Sequence, residues 1–288
     1  MYLLLSWLAC PWSTSVGPTG ASTDTSATDT SATGGTTTGA LDTTDTAAPA
    51  GTTEGCGTTT HDDAYGHLLT LRDDELRDGL HALVADGAVG FGYGAARDLM
   101  YGITDDLDVG ADGLVTCVYT GIQVEADGTR SPGQGDEMIT TEHSWPRSDG
   151  AASFPAEGDL HHLFPAVAHA NGTRGVYPFG SVACGGEGEP ACRWSVGGSH
   201  LGPAEGGGGD VFEVRPEHRG DIARAHFYFA VRYELAIPAG EEAVLRAWHC
   251  DDPPSDAERA RNDAIEAHQQ NRNPFVDQLQ LVGRIADY

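Results

Sequence analysis

The chain has 288 residues, a hydrophobic content of 39% and a formal net charge of −27 at pH 7. This length allows one large domain or two small ones, and the hydrophobic content is sufficient for a buried core. The net negative charge argues against a generally basic surface of the kind that binds nucleic acid. All 16 basic residues are arginine, and lysine is absent. Arginine nevertheless suits bidentate phosphate contacts, so we interpret the acidity as a source of solubility.

Residues 1–16 combine a short apolar run with a cysteine, Cys10. The run is too short to span a bilayer, and it resembles the end of a bacterial lipoprotein signal, in which the cysteine receives the lipid. A plain cleaved signal peptide is the alternative. Both interpretations predict export from a bacterium, either as a secreted protein or as a periplasmic or outer-surface lipoprotein with a lipid anchor at Cys10.

Residues 17–60 are dominated by Thr, Ser, Gly, Ala and Asp, with almost no large apolar side chain. Such a segment cannot bury enough apolar surface to offset the entropy lost on folding. The composition therefore predicts a disordered tether. The globular domain is predicted over residues 61–288.

Hydrophobic spacing predicts the first elements of this domain. Leu76, Leu80, Leu83 and Val84 fall on one face of a helix. Residues 114–119 are typical of a β-strand.

The second half of the chain is predicted to contain more helix. A glycine-rich run, residues 197–209, is typical of a surface loop. The block after Arg219 has the spacing of an amphipathic helix whose aromatic side chains face the core. Ser255 and Glu258 form a capping-box pattern that opens another helix. Together the elements predict a helix-rich α+β fold.

The cysteines agree with export. Cys184 and Cys192 flank a short Gly/Pro/Glu loop that can bring the two sulfur atoms together, so we predict a disulfide between them. Of Cys56, Cys117 and Cys250, one must be unpaired or joined to another chain, and the sequence does not distinguish among them. No Cys-x-x-Cys pattern indicates a zinc site or redox chemistry.

Residues 142–180 carry a carboxylate, an imidazole, a carboxamide and a guanidinium, in Glu142, His143, Asn171 and Arg174. A neutral imidazole can take a proton from water near pH 7, and carboxylate and carboxamide oxygens can hold a hard divalent cation. Adjacent residues of an extended segment point to opposite sides, so Glu142 and His143 are predicted to serve different partners. This set indicates metal-dependent phosphodiester chemistry.

The order of these residues resembles the secreted endonuclease I family, a branch of the ββα-metal (His-Me finger) nucleases. In that family a Glu-His pair ends a β-strand, an Asp-Leu-His-(His/Asn)-Leu strand follows, and a helix then bears Asn, usually with Arg-Gly after it. The resemblance covers about residues 66–288 and implies a ββα-metal finger within the α+β domain. Val176 stands where the family often has Asn, and Gln270 where it often has Gly. The matching blocks are Glu142-His143, Asp159 to Leu163, Asn171, Arg174-Gly175, Arg219 to Ala225, Phe227-Tyr228, Val231 to Tyr233, Arg261 to Gln269, and Asn271 to Asp277.

The resemblance implies an endonuclease that hydrolyses DNA, and also RNA, without sequence specificity and leaves 5′-phosphate ends. Glu142 and Asn171 would hold Mg²⁺, with Mn²⁺ or Ca²⁺ as alternative cations, and His143 would deprotonate the attacking water. Arg174 is the first choice for a phosphate contact and Arg147 the second. The nucleic acid would bind through its phosphate backbone, and no protein partner is predicted.

Two other functions remain open at this point. The chain could be a surface lipoprotein that keeps the scaffold for binding without catalysis, although the intact site residues argue against this. It could also be a zinc-dependent hydrolase in which His161 and His162 join His143 or His169 as ligands. In the implied strand His161 and His162 face opposite ways, so at most one of them would approach the site. Asp159 is a further residue that could support the site from behind its metal ligands and base.

Overall fold

The computed structural model describes residue 56 and residues 65–104, 113–185 and 188–288. The predictions for residues 1–16, including lipidation of Cys10, lie outside the described residues. The predicted tether lies outside them as well, with the exception of Cys56. All the described residues belong to one compact unit, Ala48–Tyr288.

Helices account for much of the described chain, and small antiparallel sheets account for the rest of its regular structure, so the α+β prediction is confirmed. The α-helices are α1 (Asp73–Ala85), α2 (Tyr93–Leu99), α3 (Ala168–Arg174), α4 (Arg219–Tyr233), α5 (Ala239–Asp251), α6 (Asp256–Gln269) and α7 (Pro274–Asp277). The strands are β1 (Leu114–Thr116), β2 (Gln123–Glu125), β3 (Ile139–His143), β4 (Leu163–Val167), β5 (Trp194–Val196), β6 (Ser199–Pro203) and β7 (Asp210–Glu213).

Helix α1 has the predicted amphipathic pattern. Leu76, Leu80 and Val84 are buried at intervals of four residues, whereas Leu83 is 37% exposed. The buried face packs against α4, so the helical spacing in the sequence did identify a face that meets the core.

Helix α4 lies at the centre of the fold and is buried on nearly all sides. The prediction of an amphipathic helix is therefore wrong here, although its aromatic side chains do belong to the core, with Phe229 fully buried. The helix tolerates a buried arginine, Arg224, because the guanidinium lies 2.6 Å from the carboxylate of Glu258. A buried charge needs such a partner. The ion pair therefore allows Arg224 to be buried, although an arginine in the sequence suggests a solvent-exposed face.

The glycine-rich segment predicted as a surface loop contains strand β6, and residues 205–209 form an exposed loop. This strand is the middle one of three, and it pairs with β5 and with β7. Ser199 and Leu201 are buried in it. Gly202 is required because a side chain at this position would collide with the Sγ atom of Cys184. The glycines therefore permit close packing here.

Two disulfides tie down the fold. Cys184 and Cys192 form the predicted bridge, and Cys56 is joined to Cys250 at the end of α5. Cys117 is the free cysteine among the described residues; it is buried, and its Sγ atom accepts a hydrogen bond from the backbone N–H of Val167. The predicted tether is thus attached covalently to the domain at residue 56.

This attachment predicts different outcomes for two truncated chains. A chain beginning at Thr52 should keep the full free energy of unfolding, whereas a chain beginning at Thr58 should lose about 2–4 kcal/mol, because it lacks a cross-link between residues 194 positions apart. Urea unfolding under oxidising conditions measures both. Replacing Cys250 by serine in the longer chain should reproduce the loss, and equal stability of the two truncated chains would contradict the prediction.

In the part of the chain that the structure describes, no helix is both long enough and apolar enough to cross a membrane.

Candidate active site

Strands β3 and β4 and helix α3 form a ββα unit that carries the predicted site residues. The strands pair antiparallel, with Glu142 opposite Phe164 and His143 opposite Leu163. Helix α3 begins directly after β4 and ends at Arg174, and the next residue, Gly175, caps it with a φ of 54° and a ψ of −114° that suit only glycine. Glu142 and His143, adjacent at the end of β3, contact different partners, as the sequence predicts, and both line the same cleft.

Glu142 is a buried carboxylate with two polar neighbours. Its Oε1 atom accepts a hydrogen bond of 2.9 Å from the hydroxyl of Tyr119 and lies 3.1 Å from the guanidinium of Arg174. Burial raises the pKa of Glu142 to about 7, although Arg174 and Tyr119 both act to lower it. The second carboxylate oxygen, Oε2, takes part in neither contact and is available to a cation.

His143 is positioned as a base. Its Nε2 atom lies 3.1 Å from the backbone carbonyl of Glu157. A carbonyl oxygen only accepts hydrogen bonds, so Nε2 carries the proton and Nδ1 keeps its lone pair. Burial and, to a smaller extent, the neighbouring His162 lower the pKa of His143 to about 3. The imidazole is therefore neutral at pH 7, as a proton acceptor must be.

Asn171 contacts the protein through its amide nitrogen. The Nδ2 atom donates hydrogen bonds of 3.1 Å to the hydroxyl of Thr140 and to the backbone carbonyl of Thr141. Both N–H groups of the amide are used in this way. The oxygen is left as a neutral ligand atom.

Arg174 is 1% exposed, and its contacts are internal. Beside the ion pair with Glu142, it donates hydrogen bonds to the backbone carbonyls of His143 and Ser144, and its guanidinium lies over the ring of Phe179, 4.4 Å from the centroid. These contacts fit a residue that positions the end of β3. They do not favour the predicted role of Arg174 as the first phosphate contact.

Arg147 is the more accessible arginine, with 52% of its side chain exposed. It forms a 2.5 Å ion pair with Glu157 and lies over the ring of Tyr93, 5.8 Å from the centroid. An exposed ion pair of this kind is weak and can exchange its partner for a phosphate. Arg147, the second choice from the sequence, is thus better placed than Arg174 to contact a phosphate.

The predicted catalytic and metal-binding residues surround one open cleft of about 330 Å³. Tyr93 and Tyr119 are the residues that sequence reasoning missed. Tyr93 lines the cleft, with its ring centroid 5.2 Å from that of His143, and Tyr119 supports Glu142 from within. Neither has a signal in its local sequence, because each meets the site through tertiary packing. The lining residues include Glu142, His143, Arg147, Asn171, Arg174 and Val176.

The segment before β4 differs from its prediction as a strand. Residues 160–162 form a 3₁₀ turn, which begins after Asp159, and the strand starts only at Leu163. The carboxylate of Asp159 caps this turn by accepting a hydrogen bond from the backbone N–H of His161. The inference that His161 and His162 alternate across a strand is therefore wrong.

His161 and His162 are both buried behind the cleft. The ring of His162 packs against that of His143 at a centroid distance of 5.3 Å, and His161 packs against Tyr228 at 4.4 Å. Burial lowers the pKa of each to about 4. Of these two histidines, His162 is thus the one that packs against His143, the proposed general base. Within the described ranges, no three His, Cys, Asp or Glu side chains are grouped as they would be around a metal ion.

Glu142 and Asn171 fit a hard divalent cation. Each offers an oxygen atom that its protein contacts leave over, and Mg²⁺ is typically held by few protein oxygens together with water and phosphate. A cation would also favour the ionised form of Glu142, whose pKa burial has raised. The ion pair with Arg174 already compensates part of that charge.

The fold and this arrangement agree with comparisons to known proteins. The Endonuclease I family model matches residues 80–280. The chain therefore belongs to the endonuclease I family.

Similar curated proteins include nucleases of both kinds. An extracellular ribonuclease of Bacillus subtilis (strain 168) is 35% identical over 158 residues, which cover 47% of this chain and 50% of the relative. An extracellular ribonuclease of Bacillus amyloliquefaciens is 36% identical over 159 residues, with the same coverage. A periplasmic deoxyribonuclease of Aeromonas hydrophila is 32% identical over 130 residues, covering 42% of this chain and 48% of the relative. The chain spans about half the length of the curated relatives it matches.

Proposed function

We propose that the chain is an exported, Mg²⁺-dependent endonuclease that hydrolyses phosphodiester bonds in DNA and RNA without sequence specificity and leaves 5′-phosphate ends. One observation carries this proposal. A neutral histidine with a free Nδ1 and two spare oxygen ligand atoms line the same cleft in a member of the endonuclease I family.

The chain's own residues divide the chemistry between them. His143 takes the proton of the attacking water through Nδ1, while the carbonyl of Glu157 holds the ring in the required tautomer. Arg147, on the exposed side of the cleft, contacts the phosphate, and Arg174 keeps Glu142 in place. A bound Mg²⁺ would stabilise the charge that develops on the phosphoryl oxygens and would acidify the water that protonates the leaving O3′.

Substrate breadth follows from the type of contact. Phosphate contacts fix orientation but carry little sequence information. The similar proteins named ribonuclease and deoxyribonuclease support activity on both nucleic acids. Two disulfides and relatives named extracellular or periplasmic support export. Lipidation of Cys10 stays a prediction.

Purified protein with Mg²⁺ is expected to degrade plasmid, linear double-stranded DNA, single-stranded DNA and RNA to a smear without fixed bands. Chelation should abolish cleavage, and Mg²⁺ should restore it better than Zn²⁺, because the ligand atoms are oxygens. Products should accept a label from polynucleotide kinase only after phosphatase treatment, as 5′-phosphate ends require. Discrete fragments from one recognition sequence would contradict the lack of specificity, and activity that survives chelation would contradict the role of the metal.

A further inference from the structure

A second cavity, of about 370 Å³, lies beside the catalytic cleft. Pro146, Arg174 and Val176 line both cavities, so the two adjoin on this side of the ββα unit. The guanidinium of Arg174, which lies 3.1 Å from Glu142, separates them. A ligand bound at the scissile phosphate therefore places its neighbouring groups at the entrance to this second cavity.

The walls of this cavity are mostly apolar and in part aromatic. Trp145 forms the inner wall, and its ring stacks on that of Phe229 at a centroid distance of 5.2 Å. Val176 and Tyr177 form the rim and are 65% and 39% exposed. A planar, uncharged ring can stack on such surfaces.

The polar groups of the cavity are mainly hydrogen-bond acceptors. Asp149 and Glu241 contribute carboxylates, and Glu241 accepts a hydrogen bond of 2.8 Å from the backbone N–H of Phe179. His226 lines the cavity too; its Nε2 atom lies 3.0 Å from the carbonyl of Ser144, which leaves Nδ1 as an acceptor. This Nδ1 atom is buried and has no hydrogen-bond partner in the described structure.

The carboxylates and acceptor atoms of this cavity favour the base of a nucleotide over its phosphate. Two carboxylates disfavour a phosphate, and acceptors favour a ligand that brings N–H donors. Adenine, cytosine and guanine each carry an exocyclic amine, whereas thymine and uracil carry carbonyl oxygens in its place. Proteins that take up an unstacked base use this same combination of stacking and hydrogen bonds to the edge of the base.

We propose that this second cavity binds the base of a nucleotide next to the scissile phosphate, and that it prefers a base with an exocyclic amine over thymine or uracil. The inference rests on the proposed nuclease function and adds a substrate preference to it. A preference at one flanking position leaves the enzyme without a recognition sequence, so degradation still yields a smear. The base must leave its stack to enter, and single-stranded substrates are therefore favoured.

Binding of free nucleosides tests the pocket without metal or catalysis. In the presence of chelator, adenosine or cytidine is expected to bind about tenfold more tightly than uridine, measured by titration calorimetry. Ala236 is an exposed residue on the rim, so Ala236→Trp should fill the cavity from outside and abolish binding. Val196→Ala, an exposed substitution outside the cavity, is the control and should bind as the wild type does.

Sequencing of cleavage ends then tests the substrate preference. On random single-stranded oligonucleotides, the wild type should show a bias against thymine or uracil at one position flanking the cut, and both Ala236→Trp and Tyr177→Ala should lose it. Circular dichroism and urea unfolding confirm that each variant is folded. Cleavage without bias, equal binding of all nucleosides, or binding of an apolar dye but of no nucleoside would overturn the proposal. Selective nucleoside binding without any cleavage would contradict the nuclease function alone.

Discussion

His143→Ala is expected to lower the rate of nucleic-acid cleavage by about 10²- to 10⁴-fold, which is the usual cost of removing a general base. Binding of the divalent metal and of DNA should be retained, because the imidazole faces Tyr93 and His162 and the metal-ligating oxygens belong to Glu142 and Asn171. A small base such as imidazole should restore part of the activity. Single-turnover kinetics and calorimetric metal titration measure the two properties separately.

Glu142→Ala should have the complementary effect. Metal binding itself should weaken, extra Mg²⁺ should recover part of the activity by mass action, and imidazole should have no effect. His169→Ala is the matched control, since His169 is an exposed histidine on α3 outside the cleft. It should change neither property, whereas a zinc site containing His169 would lose metal. Loss of metal binding in His143→Ala with normal binding in Glu142→Ala would overturn the assignment.

Asp159→Ala should reduce the free energy of unfolding by about 3–5 kcal/mol, because it leaves a buried arginine without its partner. The carboxylate is 3% exposed and lies 3.0 Å from Arg232; it also accepts hydrogen bonds from Tyr228, Tyr233 and Gln269 at 3.0, 2.8 and 2.8 Å. Urea unfolding measures the loss as a shift of the midpoint at an unchanged slope. Asp98→Ala removes an exposed carboxylate paired with Arg130 and should change the midpoint little.

The effect of Asp159 should also depend on pH. Burial alone would raise the pKa of this carboxyl, but His161 and Arg232 beside it hold the pKa below its usual value of 3.8. A group whose pKa is depressed by folding stabilises the protein above its unfolded pKa, and this contribution is lost as the pH falls through the folded pKa. The stability difference between the wild type and Asp159→Ala should therefore be full at pH 7 and should shrink below about pH 4. A difference that stays constant down to pH 2 would contradict this account.

The sequence by itself determined which residues we propose as metal ligands and base, because these residues are close together in the chain. Glu142, His143 and Asn171 lie on one β3–β4–α3 unit, and the alternation of side chains along a strand separates the first two. The same local physics predicted the buried face of α1, the N-cap of α6 at Ser255 and the short bridge from Cys184 to Cys192. Each of these features depends on residues close together in the chain.

The tertiary structure decided which of these side chains are buried and which partners they meet. Arg174 and Arg147 look alike in the sequence, yet one is enclosed against Glu142 and the other is exposed at the cleft. The partner of Cys56 lies 194 positions away, and Tyr119 reaches Glu142 from the turn between β1 and β2. Local patterns cannot predict such outcomes, because burial and ion pairing depend on contacts between segments that only the folded chain brings together.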